Sequence, residues 1–186
     1  EQQSYATSYI KTEGTTVTRN ADVVGGAGDV TTFNSEEGVL FVEMASLNPT
    51  GQFAELQIDD GTNDNRVQIY YNFLLNQVVF KVGVGTVQEY SHTETVTDVY
   101  VQNKYALKWA NNNFSSYVNG VEVDSSNSGD SFPISTLNNL KFQSNFKGKT
   151  KDIRVYKTAL TDSELEELTS WESFILMANG LNYTIK

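Results

Sequence analysis

Six polar side chains have the types and spacing to hold a hydroxyl-rich ligand. Arg66, Gln68 and Tyr70 alternate along one predicted strand, and Lys108 and Tyr117 sit on the two strands of a predicted hairpin. Alternation along a strand sends all five away from the core. An aromatic ring can lie against the C–H face of a sugar, while planar amide and guanidinium groups bond its hydroxyls. Asn112, in the turn Asn111-Asn112-Asn113 of the hairpin, would rim the same face. The strands are expected to share one sheet. Antiparallel sheets often keep one wet face decorated in this way, so the pattern also fits plain scaffold.

Other constellations offer less. Glu122 and Asp124 alternate on a strand, so one face should carry both carboxylates. Retaining glycoside hydrolysis needs two carboxyls held roughly 5 Å apart across a cleft, and nothing in the sequence supplies that pair. His92 is the only histidine and has no serine or cysteine partner at a recognisable spacing, so it is expected to be a surface residue. The run Asp59 to Asn65 is rich in oxygen and could serve calcium, which takes six to eight hard ligands. Its spacing does not match an EF-hand loop, and a turn held by Asx side chains is the favoured reading. No cofactor is expected, with calcium at this loop the one candidate. Gly25-Gly26-Ala27-Gly28 lacks the Lys-Ser/Thr ending of a phosphate loop and reads as a turn.

Composition narrows the classes. The 186 residues fit one domain with a full core. Thirteen Lys and Arg stand against 23 Asp and Glu, giving a net charge of −10 without a basic cluster. Such a surface repels phosphate backbones, which argues against nucleic acid. It argues also against anionic polysaccharide, unless a cation bridges the contact. There is no cysteine, hence no disulfide and no thiolate metal site. The apolar runs are too short to cross a bilayer, so no membrane insertion is expected. The start at Glu1, inside an extended pattern, carries the expectation of a piece cut from something longer.

The elements that must position these residues are mostly strands. Leu40, Val42 and Met44 alternate on one, Leu56 and Ile58 with Ala54 on the next, then Val67, Ile69 and Tyr71, then Val78, Phe80 and Val82 with Lys81 outward. Val87 to Thr93 is a more polar strand. Tyr105 to Trp109 and Phe114 to Val118 form the hairpin, with Trp109 expected in the core beside Tyr105 and Leu107. Asn119-Gly120 is the dipeptide best suited to a type I′ turn. Ile153 and Val155 alternate on a later strand. Thr161 and Glu164 then form a capping box, with Leu160 and Leu165 as its hydrophobic staple. A second short helix over Thr169 to Ala178 and a last strand at Leu181, Tyr183 and Ile185 complete the expectation.

Gly148, Asp152-Ile153-Arg154-Val155-Tyr156 and Ala159-Leu160-Thr161-Asp162, with Glu164 and Leu165, resemble the closing segment of laminin-G-like, concanavalin A-like jelly rolls. KYALKWANNNFSSYVNGVEV resembles the same family, especially its phage variant. The run SYATSYIKTEGTTVTRNADV resembles a linker of bacteriophage tail and appendage proteins, with Lys11 where proline is common. Glu122-Val123-Asp124 resembles part of the carboxylate cluster of glycanases with this fold, but the third carboxylate is missing. The resemblance implies an all-β concanavalin A-like jelly-roll sandwich of two antiparallel sheets with one or two short C-terminal helices. It implies residues 1–33 as an extended segment linking to a preceding domain, and 34–186 as the laminin-G-like domain. The implied function is non-catalytic glycan binding in a phage tail appendage or receptor-binding protein, on the virion or outside the cell. Partners would be a polysaccharide or cell-surface glycan and other domains or copies of the appendage. The alternatives are a structural packing module of the same appendage and, third, a glycan-active enzyme domain.

Overall fold

The computed structural model describes residues 14, 25–48, 54–72, 74, 76–143 and 146–171. Two five-stranded antiparallel sheets pack face to face. The first, here the helix-side sheet, runs β10-β1-β6-β7-β8. Its strands are β1 (Glu37–Ser46), β6 (Asn103–Ala110), β7 (Phe114–Val118), β8 (Val121–Ser126) and β10 (Gly148–Tyr156). The second, the polar-faced sheet, runs β5-β4-β3-β2-β9. It comprises β2 (Glu55–Asp59), β3 (Arg66–Tyr71), β4 (Gln77–Val84), β5 (Val87–Thr95) and β9 (Asn139–Phe142). Among the described residues, one helix, α1 (Asp162–Thr169), follows β10. This is the two-sheet jelly-roll sandwich that the sequence implied.

Period-two alternation places the core where it was expected. Leu40, Val42 and Met44 of β1 face Leu56, Ile58, Val67, Ile69 and Phe80 of the other sheet, all fully buried. Hydroxyls that enter this core are satisfied: Tyr105 donates to the Tyr71 oxygen at 3.2 Å, and Tyr71 donates to the Met44 carbonyl at 2.9 Å. Trp109 is core too, and its indole N–H reaches the Ser35 carbonyl at 3.2 Å. Gly38 faces that indole, where an added Cβ would lie 2.5 Å from the ring, so no side chain fits there. Asn119 and Gly120 have φ of 50° and 88°, as a type I′ turn between β7 and β8 requires.

The local signals for α1 are present as read. Thr161 accepts from the Glu164 backbone N–H, and Glu164 reaches back to the Thr161 backbone, closing the capping box. Leu165 is fully buried in a second cluster with Val39, Phe41, Ala106 and Tyr117, on the outer face of the helix-side sheet. The far end of α1 is also tied down: Gly120 N–H donates to Thr169 Oγ1 at 3.0 Å, and Lys104 Nζ donates to the Ser170 carbonyl at 2.7 Å.

Residues 25–33, expected from sequence to be part of the linking segment, pack on the domain. Ala27 bridges to Leu140 beside β9, and Phe33 enters the core at 5% exposure. The rest of the expected linker apart from Gly14, the second helix beyond Trp171 and the last strand lie outside the described residues.

Candidate functional site

The six candidate residues do not share a face. Arg66, Gln68 and Tyr70 lie on β3 in the polar-faced sheet, whereas Lys108 and Tyr117 lie on β6 and β7 in the other. The expectation of one sheet is therefore corrected. Tyr117 does point outward from its own sheet, but α1 is docked over it and leaves it fully buried. Its hydroxyl donates to Glu122 Oε2 at 2.7 Å. Burial and the neighbouring Glu122 and Asp162 carboxylates drive its pKa up, so it stays a neutral phenol. It cannot serve as a stacking platform. Lys108 is 5% exposed and pairs with Asp162 Oδ1 at 3.0 Å, across the N-terminus of α1. Asn112 sits in the β6–β7 turn with φ 54°, and its side-chain oxygen accepts from Gly129 N–H at 3.3 Å. That side chain braces a loop and joins neither group.

The other three fall together with residues that were not singled out. Directly opposed residues of antiparallel strands share a face. The register pairs Tyr70 with Glu55 and Val79, Gln68 with Gln57 and Lys81, and Arg66 with Asp59 and Gly83. Gln57 in turn opposes Lys141. The outer face of this sheet is thus a polar field, and α1 does not lie on it.

A bonded network fixes its centre. Gln68 Nε2 donates to Glu55 Oε1 at 2.6 Å and to Gln57 Oε1 at 3.0 Å, and Gln143 reaches the same two acceptors. Gln57 donates to the Asp59 carboxylate. Gln57 and Asp59 are fully buried and Gln68 nearly so. Satisfied buried polar groups of this kind hold their neighbours in one arrangement. Around that floor stand the half-buried Arg66, Tyr70 and Lys81.

Their electrostatics are coupled. Burial and the Glu55 carboxylate raise the Tyr70 pKa, with Arg66 opposing. Burial and the Arg66 charge lower that of Lys81, with Glu55 opposing. Two cations thus crowd each other beside one ring, and among the described residues neither forms an ion pair. Such a pair gains from an incoming anion, and the ring offers a flat apolar surface next to it.

The remaining sequence candidates resolve as follows. A bulge on β7–β8 pairs Tyr117 with Glu122 but Ser116 with Asp124. One extra residue, Val123, turns the strand over, so Glu122 faces outward with Tyr117. Asp124 goes with Ser116 towards Tyr90 and His92 on the other sheet's edge. The expectation that Glu122 and Asp124 share a face is corrected. His92 is half-buried, with Nε2 3.2 Å from Glu94 and Nδ1 3.9 Å from Asp124. The Asp59 to Asn65 stretch is a turn closed on itself. Asp60 accepts from Thr62 N–H, the Thr62 hydroxyl and Asn65. Asp59 accepts from Gly61 N–H and Asn139 and pairs with Lys141 at 2.7 Å. Burial works to raise the Asp59 pKa, but these donors hold it below the usual carboxylate value.

Sequence reasoning missed Glu55, Gln57 and Lys81 as members of the site. The alternation that faced Leu56 and Ile58 inward already turned Glu55 and Gln57 outward. Only the β2–β3–β4 register, which no local signal reveals, places them around Tyr70 and Arg66.

The fold matches known proteins. No curated protein sequence matches the chain. A carbohydrate-binding module, CBM40, of the Ruminococcus gnavus IT-sialidase superposes with a TM-score of 0.61 at 17% identity, covering 81% of this chain and 98% of that one. The same module bound to alpha2,3 sialyllactose gives 0.58 at 17% identity, covering 81% and 97%. A heptameric SAP-like pentraxin from Limulus polyphemus gives 0.60 at 11% identity, covering 81% and 76%. At these identities the likeness is one of fold. Residues 39–166 match the family model described as the concanavalin A-like lectin/glucanases superfamily, in its laminin G form, and the chain belongs to that family.

Proposed function

We propose that this domain is a lectin-like module that binds acidic glycans, without turning them over, on the outer face of the polar-faced sheet. The observation that carries this reading is the Arg66 and Lys81 pair. These are diagonal neighbours on β3 and β4, beside the half-buried Tyr70 ring, on a floor fixed by the Gln68–Glu55–Gln57 network. The guanidinium and ammonium bind the carboxylate of the sugar, Tyr70 takes its apolar face, and the amides take its hydroxyls. The net charge of −10 does not oppose this at contact range, because charges are screened beyond about 8 Å at physiological salt.

Support comes from the R. gnavus module, whose fold this chain shares and which is bound to sialyllactose in its structure. The N-terminal run SYATSYIKTEGTTVTRNADV supports a setting in a phage tail appendage or receptor-binding protein, on the virion or outside the cell. There the ligand would be a bacterial surface or secreted polysaccharide.

Calorimetric titration with sialyllactose, lactose and an oligouronate tests the proposal. Sialyllactose or the oligouronate should bind and lactose should bind far more weakly. Tyr70→Ala should remove about 1 to 3 kcal/mol of binding, the usual worth of a stacked ring. Arg66→Gln with Lys81→Gln should abolish binding at unchanged melting temperature. If the double variant binds as the wild type does, this face is scaffold and the glycan sits elsewhere on the domain; if neither acidic ligand binds, the domain is a packing module of its appendage.

A further inference from the structure

The helix-side sheet carries a second polar concavity, unrelated to the face just described. Between the β10–α1 connection at Ala159 to Asp162 and strands β7 and β8, the latter at the sheet edge, lies a groove of about 620 Å³. Its floor includes Lys108, Ser115 and Ser125, which oppose one another in a row across β6, β7 and β8. Two of these are buried and short of partners. Ser115 is 2% exposed, and its buried Oγ has no hydrogen-bond partner among the described residues. Lys108 is 5% exposed, and its ammonium, which has three donors, bonds Asp162 Oδ1. Leaving buried polar groups unpaired is costly, so a groove built over them favours an oxygen-bearing occupant.

The walls specify what kind. Glu122 accepts the Tyr117 hydroxyl on one carboxylate oxygen, which leaves the other oxygen for the groove. Asp162 lies opposite, and Asn113 and Asn127 add amides at the rim. The lining thus offers both donors and acceptors, which suits vicinal hydroxyls, since each both gives and takes a hydrogen bond. Two carboxylates against one ammonium do not favour an anion. We infer that this groove is a separate binding site for a neutral hexose-class sugar unit.

The test uses the whole isotope-labelled chain and maps amide shifts by NMR. Methyl α-mannoside, methyl β-galactoside and N-acetylglucosamine are titrated singly to tens of millimolar, with sialyllactose as a parallel arm. At least one neutral sugar should move the amides of Ser115, Ser125 and Asn127 in a saturable way. Ser115→Ala should weaken that response roughly fivefold, the loss expected for one hydrogen bond. Ser125→Trp, which fills the groove from an exposed strand position, should abolish it while leaving the melting temperature unchanged. Shifts at Arg66, Gln68 and Lys81 with sialyllactose report the other face, so either site can fail alone. The inference is overturned if none of the three neutral sugars moves the groove amides, or if both variants respond as the wild type does.

Discussion

The two outer faces of this sandwich start from the same alternation and end as different things. On the helix-side sheet the outward Val39, Phe41, Ala106 and Tyr117 are buried, because α1 sets Leu165 down among them. On the polar-faced sheet the outward Glu55, Gln57 and Gln68 bond each other, and Arg66, Tyr70 and Lys81 stay half-buried around them. Whether an outward tyrosine becomes core or stays at the surface is thus decided by what docks on the sheet. The cue lies in its neighbours: Val39 and Phe41 are apolar where a solvated face would be polar, and they mark the place for a cover.

The sharpest way to break this comparison is to truncate one tyrosine on each face. Tyr117→Ala should cost about 3 to 5 kcal/mol in urea unfolding, as a buried aromatic does. Tyr70→Ala should cost about 1 kcal/mol or less, near the range of surface changes. Similar losses at both would mean that the faces do not differ as described. Next in size, Leu165→Ala should cost about 2 to 4 kcal/mol, and a negligible loss would show α1 to be a loose appendage. Thr161→Ala removes the N-cap and should cost about 1 kcal/mol by the same measurement.

The smallest effect is a pH dependence that sharpens the picture at the edge of α1. The hydrogen bond and charge of Lys108 hold the Asp162 carboxyl below its usual pKa against some burial, with Tyr117 helping. A carboxyl whose folded pKa is lowered adds stability that is full above its unfolded pKa of about 4 and lost as pH falls through the folded value. The stability difference between wild type and Asp162→Asn should therefore shrink as pH drops below about 4. Asp162 is exposed, so the difference should be small at any pH. A difference that grows in acid would remove Lys108 as its partner.

What was legible in the sequence was whatever is local. Alternation gave the inward residues of β1 to β4, Asn119-Gly120 gave the tight turn, and Thr161 with Glu164 gave the helix start. Sheet membership was not legible, because nothing near Arg66 or Lys108 says that β3 and β6 belong to opposite layers. The β7–β8 bulge was hidden as well. One extra residue at Val123 reverses every later side chain of β8 and separates Glu122 from Asp124. The Lys108–Asp162 pair joins positions 54 residues apart and rests on the docking of α1.

The place of β1 in its sheet has a consequence for how the chain is made. β1 pairs on one side with β6 and on the other with β10, Leu40 opposing both Leu107 and Val155. Closing so long a loop is slow, since its entropy must be surrendered before any pairing rewards it. At roughly 5 to 20 residues per second of synthesis, the apolar strand GVLFVEMA is finished well before its second partner exists. Until then one hydrogen-bonding edge of β1 stays unpaired, and such an edge is a template for pairing with another chain. A chain interrupted before Gly148 keeps that edge permanently. Two such copies have no closing strand to exchange, so damaged copies of this domain are expected to pair through their open β1 edges rather than stay monomeric.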